Sequence, residues 1–279
     1  MSIKKCVILS TGIILFVIAP FFASAQTSKP SHRGELYISW GYNSEWYTHS
    51  NLKISQPELG NDFAFRNIRG FDHEGWNGQL FTKPLTIPQY NYRIGYFFND
   101  KNDLGVEINF DHTKFILGNN QVVHVKGTIN NKPIDKNLRF VENDLPTADS
   151  NSYYFLNNGA NFLLFNIVKR WHFGENKRGT IKWDGLTKFG IGPVVPHVQN
   201  KFFDQPQNEP HFQVGGWNTG IEGALRSTFF KHVYLELAGK LDYARYSGLK
   251  IYKGTARQAF GTAEVILSLG YTINTGKRK

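Results

Sequence analysis

Cysteine is almost missing from this 279-residue chain: the one example, Cys6, lies in the first segment. It precedes an apolar stretch, whereas a lipidated cysteine would follow one, so lipoprotein processing is not expected. Once the leader described below is removed no thiol remains. That excludes a disulfide-stapled domain, a cysteine nucleophile and a thiolate metal site. Long apolar runs are missing too. Beyond the first 25 residues nothing approaches the roughly 18 consecutive apolar residues a membrane helix needs, and mean hydropathy is −0.38. Blocks of one charge sign are absent. The 32 Lys and Arg residues are interspersed with 22 Asp and Glu, for a formal net charge of +10, and dispersal of this kind argues against a nucleic-acid surface. The histidines show no His-x-x-His or HExxH spacing, and Asp72 to Gly78 lacks the regular oxygen spacing of a calcium loop, so no metal or cofactor is expected.

The N-terminus is a leader. Lys4 and Lys5 form a basic start, Val7 to Phe22 is apolar and broken by Ser10, Thr11, Gly12 and Pro20, and Ala23-Ser24-Ala25 is a small-x-small cleavage site before Gln26. This is the pattern of a secretory signal peptide over 1–25. A polar periplasmic lead, 26–34, follows. Removing the leader takes away Lys4 and Lys5 and lowers the net charge by two, from +10 to +8.

Aromatics at 15% and 27 glycines suit strands and tight turns, and the pattern has period two. Leu36, Ile38, Trp40 and Tyr42 share one parity, while Glu35, Tyr37, Ser39, Gly41 and Asn43 share the other. Tyr90 to Phe98 alternates with Gln89, Asn91, Arg93, Gly95 and Phe97. Leu104, Val106, Ile108 and Phe110 alternate with Gly105, Glu107, Asn109 and Asp111. Val233, Leu235, Leu237 and Leu241 oppose Tyr234, Glu236, Lys240 and Asp242; Ala263, Val265, Leu267, Leu269 and Tyr271 oppose Thr262, Glu264, Ser268 and Gly270. A strand separates such sets automatically; a helix cannot.

Two features orient the faces. Glycines crowd the polar parity (Gly41, Gly95, Gly105, Gly190, Gly192, Gly216, Gly220, Gly270). A solvated face has no use for them, but a narrow barrel interior needs small residues between long ones. Aromatics gather at the ends of the apolar parity: Tyr42, Trp46, Tyr90, Tyr92 and Trp217 toward one rim, Phe98, Trp171, Trp183 and Tyr271 toward the other. Two such belts match two membrane–water interfaces. The fold expected is all-β, an antiparallel up-and-down transmembrane β-barrel over 35–273 with its apolar parity outward and a short basic periplasmic tail, 274–279. A soluble periplasmic ligand-binding barrel, with the faces reversed, is the rival architecture.

Connection lengths give the count. Short turns at Asn99–Asp103, Phe173–Gly179 and Phe229–His232 alternate with long stretches, as periplasmic turns alternate with external loops. Eight crossings result: 35–48, 87–98, 103–116, 153–171, 180–195, 212–229, 232–245 and 257–273. The β-like runs 62–71 and 122–129 are read as hairpins or extensions outside; counting both as crossings would give ten strands. Pro193 is placed at an outer strand end. The parity of 153–171 is inconsistent, since Asn157, Gly159 and Asn161 disagree with Asn166; a bulge, or burial of both faces near the rim, would account for it.

This register sends Glu35, Arg93, Glu107, Asp111, Asp184, Lys188, Glu222, Arg226, Glu236, Lys240 and Glu264 into the lumen, with Glu45, Lys182 and Asp242. Opposite charges in a tube of eight strands pair and fill it, so a structural network is expected rather than an open porin channel. An enzymatic alternative is a lipid A-modifying barrel, with an acyl hydrolase or transferase site near the outer rim. Its candidate pieces are His49 with Ser50, His112 with Thr113, and His211 beside Glu209.

The segments Ile87-Pro-Gln-Tyr-Asn-Tyr-Arg-Ile-Gly-Tyr-Phe-Phe-Asn-Asp-Lys, Asn109-Phe-Asp-His-Thr-Lys, Phe229-Phe-Lys-His-Val and Leu269-Gly-Tyr-Thr-Ile resemble an uncharacterised family of bacterial outer-membrane barrels. The architecture is more distantly similar to OmpA/OmpX-type small barrels. The resemblance implies the fold and a Gram-negative outer-membrane location; it carries over no site residue and no activity. The expectation is a monomeric structural or surface-interaction protein of the outer membrane. Its partners would be outer-membrane lipid, including lipopolysaccharide, and an external protein or glycan met by loops 49–86 and 117–152.

Overall fold

The computed structural model describes residues 34–72, 89–98, 102–117, 121–139, 152–156, 159–203 and 205–275. The leader, nearly all of the lead, Asp72–Gly78 beyond its first residue, and the end of the tail lie outside the described residues. In chain order the strands are β1 (Glu35–Tyr47), β2 (Ser50–Gln56), β3 (Asn61–Ile68), β4 (Gly70–Phe71), β5 (Tyr90–Phe97), β6 (Leu104–Asp111), β7 (Phe115–Leu117) and β8 (Val122–Ile129). They continue with β9 (Lys132–Arg139), β10 (Tyr153–Leu156), β11 (Phe162–Glu175), β12 (Ile181–Pro193), β13 (Gln199–Lys201), β14 (Gly216–Phe229), β15 (Val233–Ile251) and β16 (Gly254–Asn274).

The strands β1-β5-β6-β11-β12-β14-β15-β16 pair in that order, and β1 pairs back onto β16, closing a ring of eight antiparallel strands. The closing seam runs the full length of β1, from Glu35 opposite Asn274 to Tyr47 opposite Thr262. Closure leaves no strand edge in the ring, so its ladder groups pair around the full circumference apart from a bulge between His172 and Gly174. The apolar parity points outward: Ile167 is 64% exposed, Phe189 59% and Ile38 50%, and every ring strand contributes such side chains. The expected rim aromatics Trp46, Tyr92, Phe98, Trp183, Trp217 and Tyr271 are exposed on the same surface. The charged parity is buried inside.

β2, β3, β8 and β9 do not enter the ring. The far end of β16 continues past it and pairs with β2 (Arg257 opposite Lys53), and β3, β8 and β9 follow in turn. A second sheet, β13-β10-β7-β4, lies opposite. Between the two sits an apolar core of Leu52, Ile54, Phe63, Phe65, Phe115, Val125, Tyr154, Phe202, Tyr246 and Phe260 among others. The long connections are therefore a packed cap over one mouth of the barrel.

Three expected crossings are corrected by the cap. The segment 153–171 is two elements: Tyr153–Leu156 pairs with β13 and β7, and the ring strand starts only at Phe162. Gly159 (φ 122°) and Asn161 (φ 38°) turn the chain between them, and the Asn161 amide donates to the Val195 carbonyl at 2.9 Å. This turn is the source of the inconsistent parity. β6 ends at Asp111 and not at 116, because Phe115–Leu117 joins the cap sheet. β14 begins at Gly216 (φ 138°) and not at 212; Phe212 instead bridges His197. Pro193 is the last residue of β12, opposite Trp217, where pairing ends.

At the opposite end the connections are short. Asn176 accepts from the backbone N–H groups of Thr180 and Ile181 at 2.8 and 3.0 Å, fixing the β11–β12 turn. The β14–β15 turn is less well matched: both central residues, Phe230 (φ 50°) and Lys231 (φ 70°), have positive φ. Such turns favour Asn and Gly, and a bulky residue there is strained. The cap hairpin β8–β9 makes the same bend with Asn130 and Asn131 (φ 50° and 60°). Replacing Phe230-Lys231 by Asn-Gly is expected to stabilise the barrel by about 1 kcal/mol. Equilibrium urea unfolding in detergent checks this through a raised midpoint at unchanged slope.

Candidate functional site

The lumen is filled in layers. At the end bearing the N-terminus, Arg170 donates to Glu35 Oε2 at 2.8 Å and to Asp103 Oδ1 at 2.9 Å. His172 bridges Asp103 (Nε2 to Oδ2, 3.1 Å) and Asp184 (Nδ1 to Oδ1, 2.5 Å). Asp103 lies in the turn before β6. Burial pushes its carboxyl up, but the bonds from His172 and Arg170 outweigh this and hold it at about 2. Lys182, half-buried, lies 3.8 Å from Asp184.

Above this lies an aromatic layer. The Arg226 guanidinium sits 4.0 Å from the Tyr234 ring centroid and 4.6 Å from that of Tyr37, and Arg170 lies 4.1 Å over Phe97. Inward glycines make room for these rings. A Cβ on Gly95 would come within 2.2 Å of the Tyr37 ring, and one on Gly270 within 2.1 Å of Tyr234.

The next layer is charge-balanced. Arg93 grips Glu222 with both nitrogens (2.8 and 2.9 Å) and reaches Glu236 at 3.0 Å. Arg226 closes on the other oxygen of Glu236 at 2.7 Å. Lys188 lies within 2.9–3.1 Å of Glu107, Glu222 and Glu236. Glu107 accepts from the Tyr37 hydroxyl at 2.9 Å and from the Asn166 amide at 3.1 Å. All of these side chains are buried.

The layer beneath the cap is lopsided. Lys240 touches Asp111, Asp242 (2.8 Å) and Glu264 (3.8 Å), and Glu45 stands directly opposite Glu264 across β1 and β16. Three carboxyl groups thus gather on the Lys240 ammonium with a fourth beside them; Asn43 donates to Glu45 at 2.5 Å, Tyr47 donates to its other oxygen, and Asn109 donates to Asp111 at 2.8 Å. The apolar core of the cap closes the stack above.

Every lumen residue named from sequence faces this interior. Sequence reasoning missed Arg170, His172 and Asp103. Once Asn166 is taken as inward, the parity 162, 164, 166, 168, 170, 172 places Arg170 and His172 inside, so a signal was present.

The rim pieces of the enzymatic reading are not brought together. His49 bonds Asn67 (2.9 Å), while Ser50 accepts from Gln258 (2.9 Å). His211 meets the Glu209 backbone carbonyl at 3.0 Å. Continuing the alternation of Leu104, Val106, Ile108 and Phe110 would put His112 on the outward parity; it is buried instead, because the strand ends one residue earlier. It bonds Asn161 (2.8 Å) and stacks on Tyr90 at 4.6 Å. Burial pushes its pKa down to about 4, against the opposing bond from Asn161.

The geometry is that of a small closed barrel, apolar outside and charged inside. No known protein family matches the chain, and no curated protein is similar to it in sequence. Among solved structures it is similar to Ail, the attachment invasion locus protein of Yersinia pestis, at 10% identity over 86% of this chain and 99% of that one, with a TM-score of 0.34. It is also similar to the outer membrane protein OprG from Pseudomonas aeruginosa, at 11% identity over 87% and 97% with a TM-score of 0.37. Neisserial surface protein A is similar at 8% identity over 84% and 96%, TM-score 0.25. At these values no residue role passes from those proteins to this chain.

Two outcomes are expected. Arg93→Met removes the bidentate partner of Glu222, leaving the three carboxylates Glu107, Glu222 and Glu236 to share Lys188 and Arg226, and is expected to cost about 3–5 kcal/mol. The double variant Arg93→Met with Glu222→Leu recovers part of that loss, both read by urea unfolding. His112, held neutral, gives cap stability that is full above its ordinary value of 6.5 and falls as the pH drops toward about 4, since the unfolded chain takes up the proton first. NMR titration should find its ring protons shifting near 4, and His112→Gln should flatten the pH dependence of hydrogen-exchange protection in the cap.

Proposed function

We propose that this chain is an outer-membrane β-barrel whose lumen is a structural plug and whose work is done by the external cap, as a surface-interaction protein. The observation that carries the reading is the inverted sidedness. Leu, Ile, Val and aromatic side chains cover the outside of a closed sheet, while Arg93, Lys188, Arg226 and Lys240 with their carboxylates fill the inside. A water-soluble barrel would bury the first set and solvate the second. An apolar surface on every ring strand is far beyond the few hundred Å² a soluble monomer exposes. Hydrocarbon satisfies it, and closure satisfies the backbone there.

The charge-balanced layer and the cap core leave the tube filled, which favours a non-conducting scaffold over a porin. The polar side of the cap, formed by β3, β8 and β9, presents Arg66, His124, Lys126 and Asp135. Mixed charge on such a surface suits a protein or glycan outside the cell. An N-terminal signal peptide over 1–25 delivers the chain to this location in the same reading.

Alkaline carbonate extraction tests the placement. The protein should stay in the membrane pellet and run faster on unboiled than on boiled gels; release into the soluble fraction overturns the reading. Deleting 121–139 removes β8, which pairs with β3, and β9, which pairs with β8; neither pairs with the ring. That variant should keep membrane insertion and heat-modifiability and lose the surface contact.

A further inference from the structure

A groove of about 650 Å³ crosses the outward face of β15, β16, β2 and β3 just beyond the ring, lined in part by Lys53, Arg66, Arg245 and Arg257. The four cations lie on one face, because their strand neighbours Ala244, Tyr246, Ala256, Gln258, Ile54 and Phe65 are all buried on the other. Arg257 stands directly opposite Lys53. Like charges in that position repel, and the protein supplies little to offset them. Lys53 approaches Asp62 at 3.6 Å with both groups exposed, while Arg66, Arg245 and Arg257 make no ion pair among the described residues. Asp135, whose charge Arg66 feels at longer range, is already held by His124 (2.9 Å) and Lys126 (2.8 Å).

The position identifies the anion. Arg245 is opposite Trp217, whose ring lies 5.8 Å from that of Tyr243. Beneath these aromatics the exposed faces of β15 and β16 are apolar, with Leu241, Val265 and Leu267. A row of cations above an aromatic belt above an aliphatic wall matches an amphiphile with a phosphorylated head and acyl chains. We propose that this groove binds the phosphate groups of the anionic glycolipid in the outer leaflet, with Lys53, Arg66, Arg245 and Arg257 on the phosphates and the chains along β15 and β16. The site would hold one lipid fixed to the flank of the cap, and it rests on the membrane-inserted reading above.

The test uses the mature chain in nanodiscs, with bisphosphorylated lipid A, its dephosphorylated form and inorganic phosphate as probes. The variant K53Q/R66Q/R245Q/R257Q should insert and show the same gel shift as the parent, yet bind lipid A at least about tenfold more weakly, in keeping with the worth of several surface cations against an anionic leaflet. Dephosphorylated lipid A should bind the parent as weakly as lipid A binds the variant. Substituting Lys132 and Lys136 by Gln, outside the groove, should change nothing. Equal binding by parent and variant, indifference to the phosphates, or displacement by millimolar inorganic phosphate would overturn the site while insertion stays intact. Failure of the parent itself to insert would overturn the membrane reading and the site together.

Discussion

Inside an eight-stranded ring Arg93, Lys188 and Arg226 have nowhere to place their charge except against Glu107, Glu222 and Glu236, because the tube is only wide enough for side chains. The rest of the structure follows from that confinement. Desolvating these ions is costly, and their mutual attraction offsets the cost only when each partner is held in good geometry. The inward glycines, the stacked Tyr37, Phe97 and Tyr234, and the bidentate grip of Arg93 on Glu222 supply that geometry. Network and sheet register are therefore one constraint seen twice. A slip of one residue along any ring strand would point its Leu and Val side chains into the charges and its charges into the surrounding apolar phase. The buried ions need add little net stability to make that slip prohibitive.

The cap solves a different problem. The ring alone ends in a mouth lined by Lys240 and four carboxyl groups, and an apolar core laid over it shields them from bulk water. That core is reached by letting β15 and β16 run on past the eight-stranded ring, so the cap sheet is a continuation of the barrel wall. Its last strand among the described residues, β9, carries Lys132, Asp135, Lys136 and Arg139, and an edge studded with charge resists pairing with another chain.

The barrel was legible in the sequence because period-two alternation needs no knowledge of contacts. The parities of Leu36–Tyr42, Leu104–Asp111 and Val233–Asp242 state directly which side chains share a face, and the lumen charges follow from them. The cap was not legible. Leu52, Ile54, Phe63, Phe65, Val123 and Val125 alternate like ring strands, and only tertiary packing shows that their apolar side meets another sheet instead of lipid. Element ends were lost for the same reason. Nothing local to His112 says that the ring stops at Asp111; the decision is made by Phe115–Leu117 finding β10 and β4 across the cap. Arg170 was hidden behind Gly159 and Asn161, whose positive φ values reset the parity of the strand that follows.

The same physics separates where chemistry is stored from where recognition can occur. A lumen side chain such as Lys188, with three carboxylates within 3.1 Å, is already committed, and a ligand would have to replace interactions the fold itself requires. Surface cations are in the opposite position. Arg245 and Arg257 have no internal partner among the described residues, and Arg257 faces the like charge of Lys53. An external anion there costs the barrel nothing and relieves a repulsion. Selection can alter such a face without disturbing the register that the buried ions enforce, so binding in this architecture belongs on the cap and its flank.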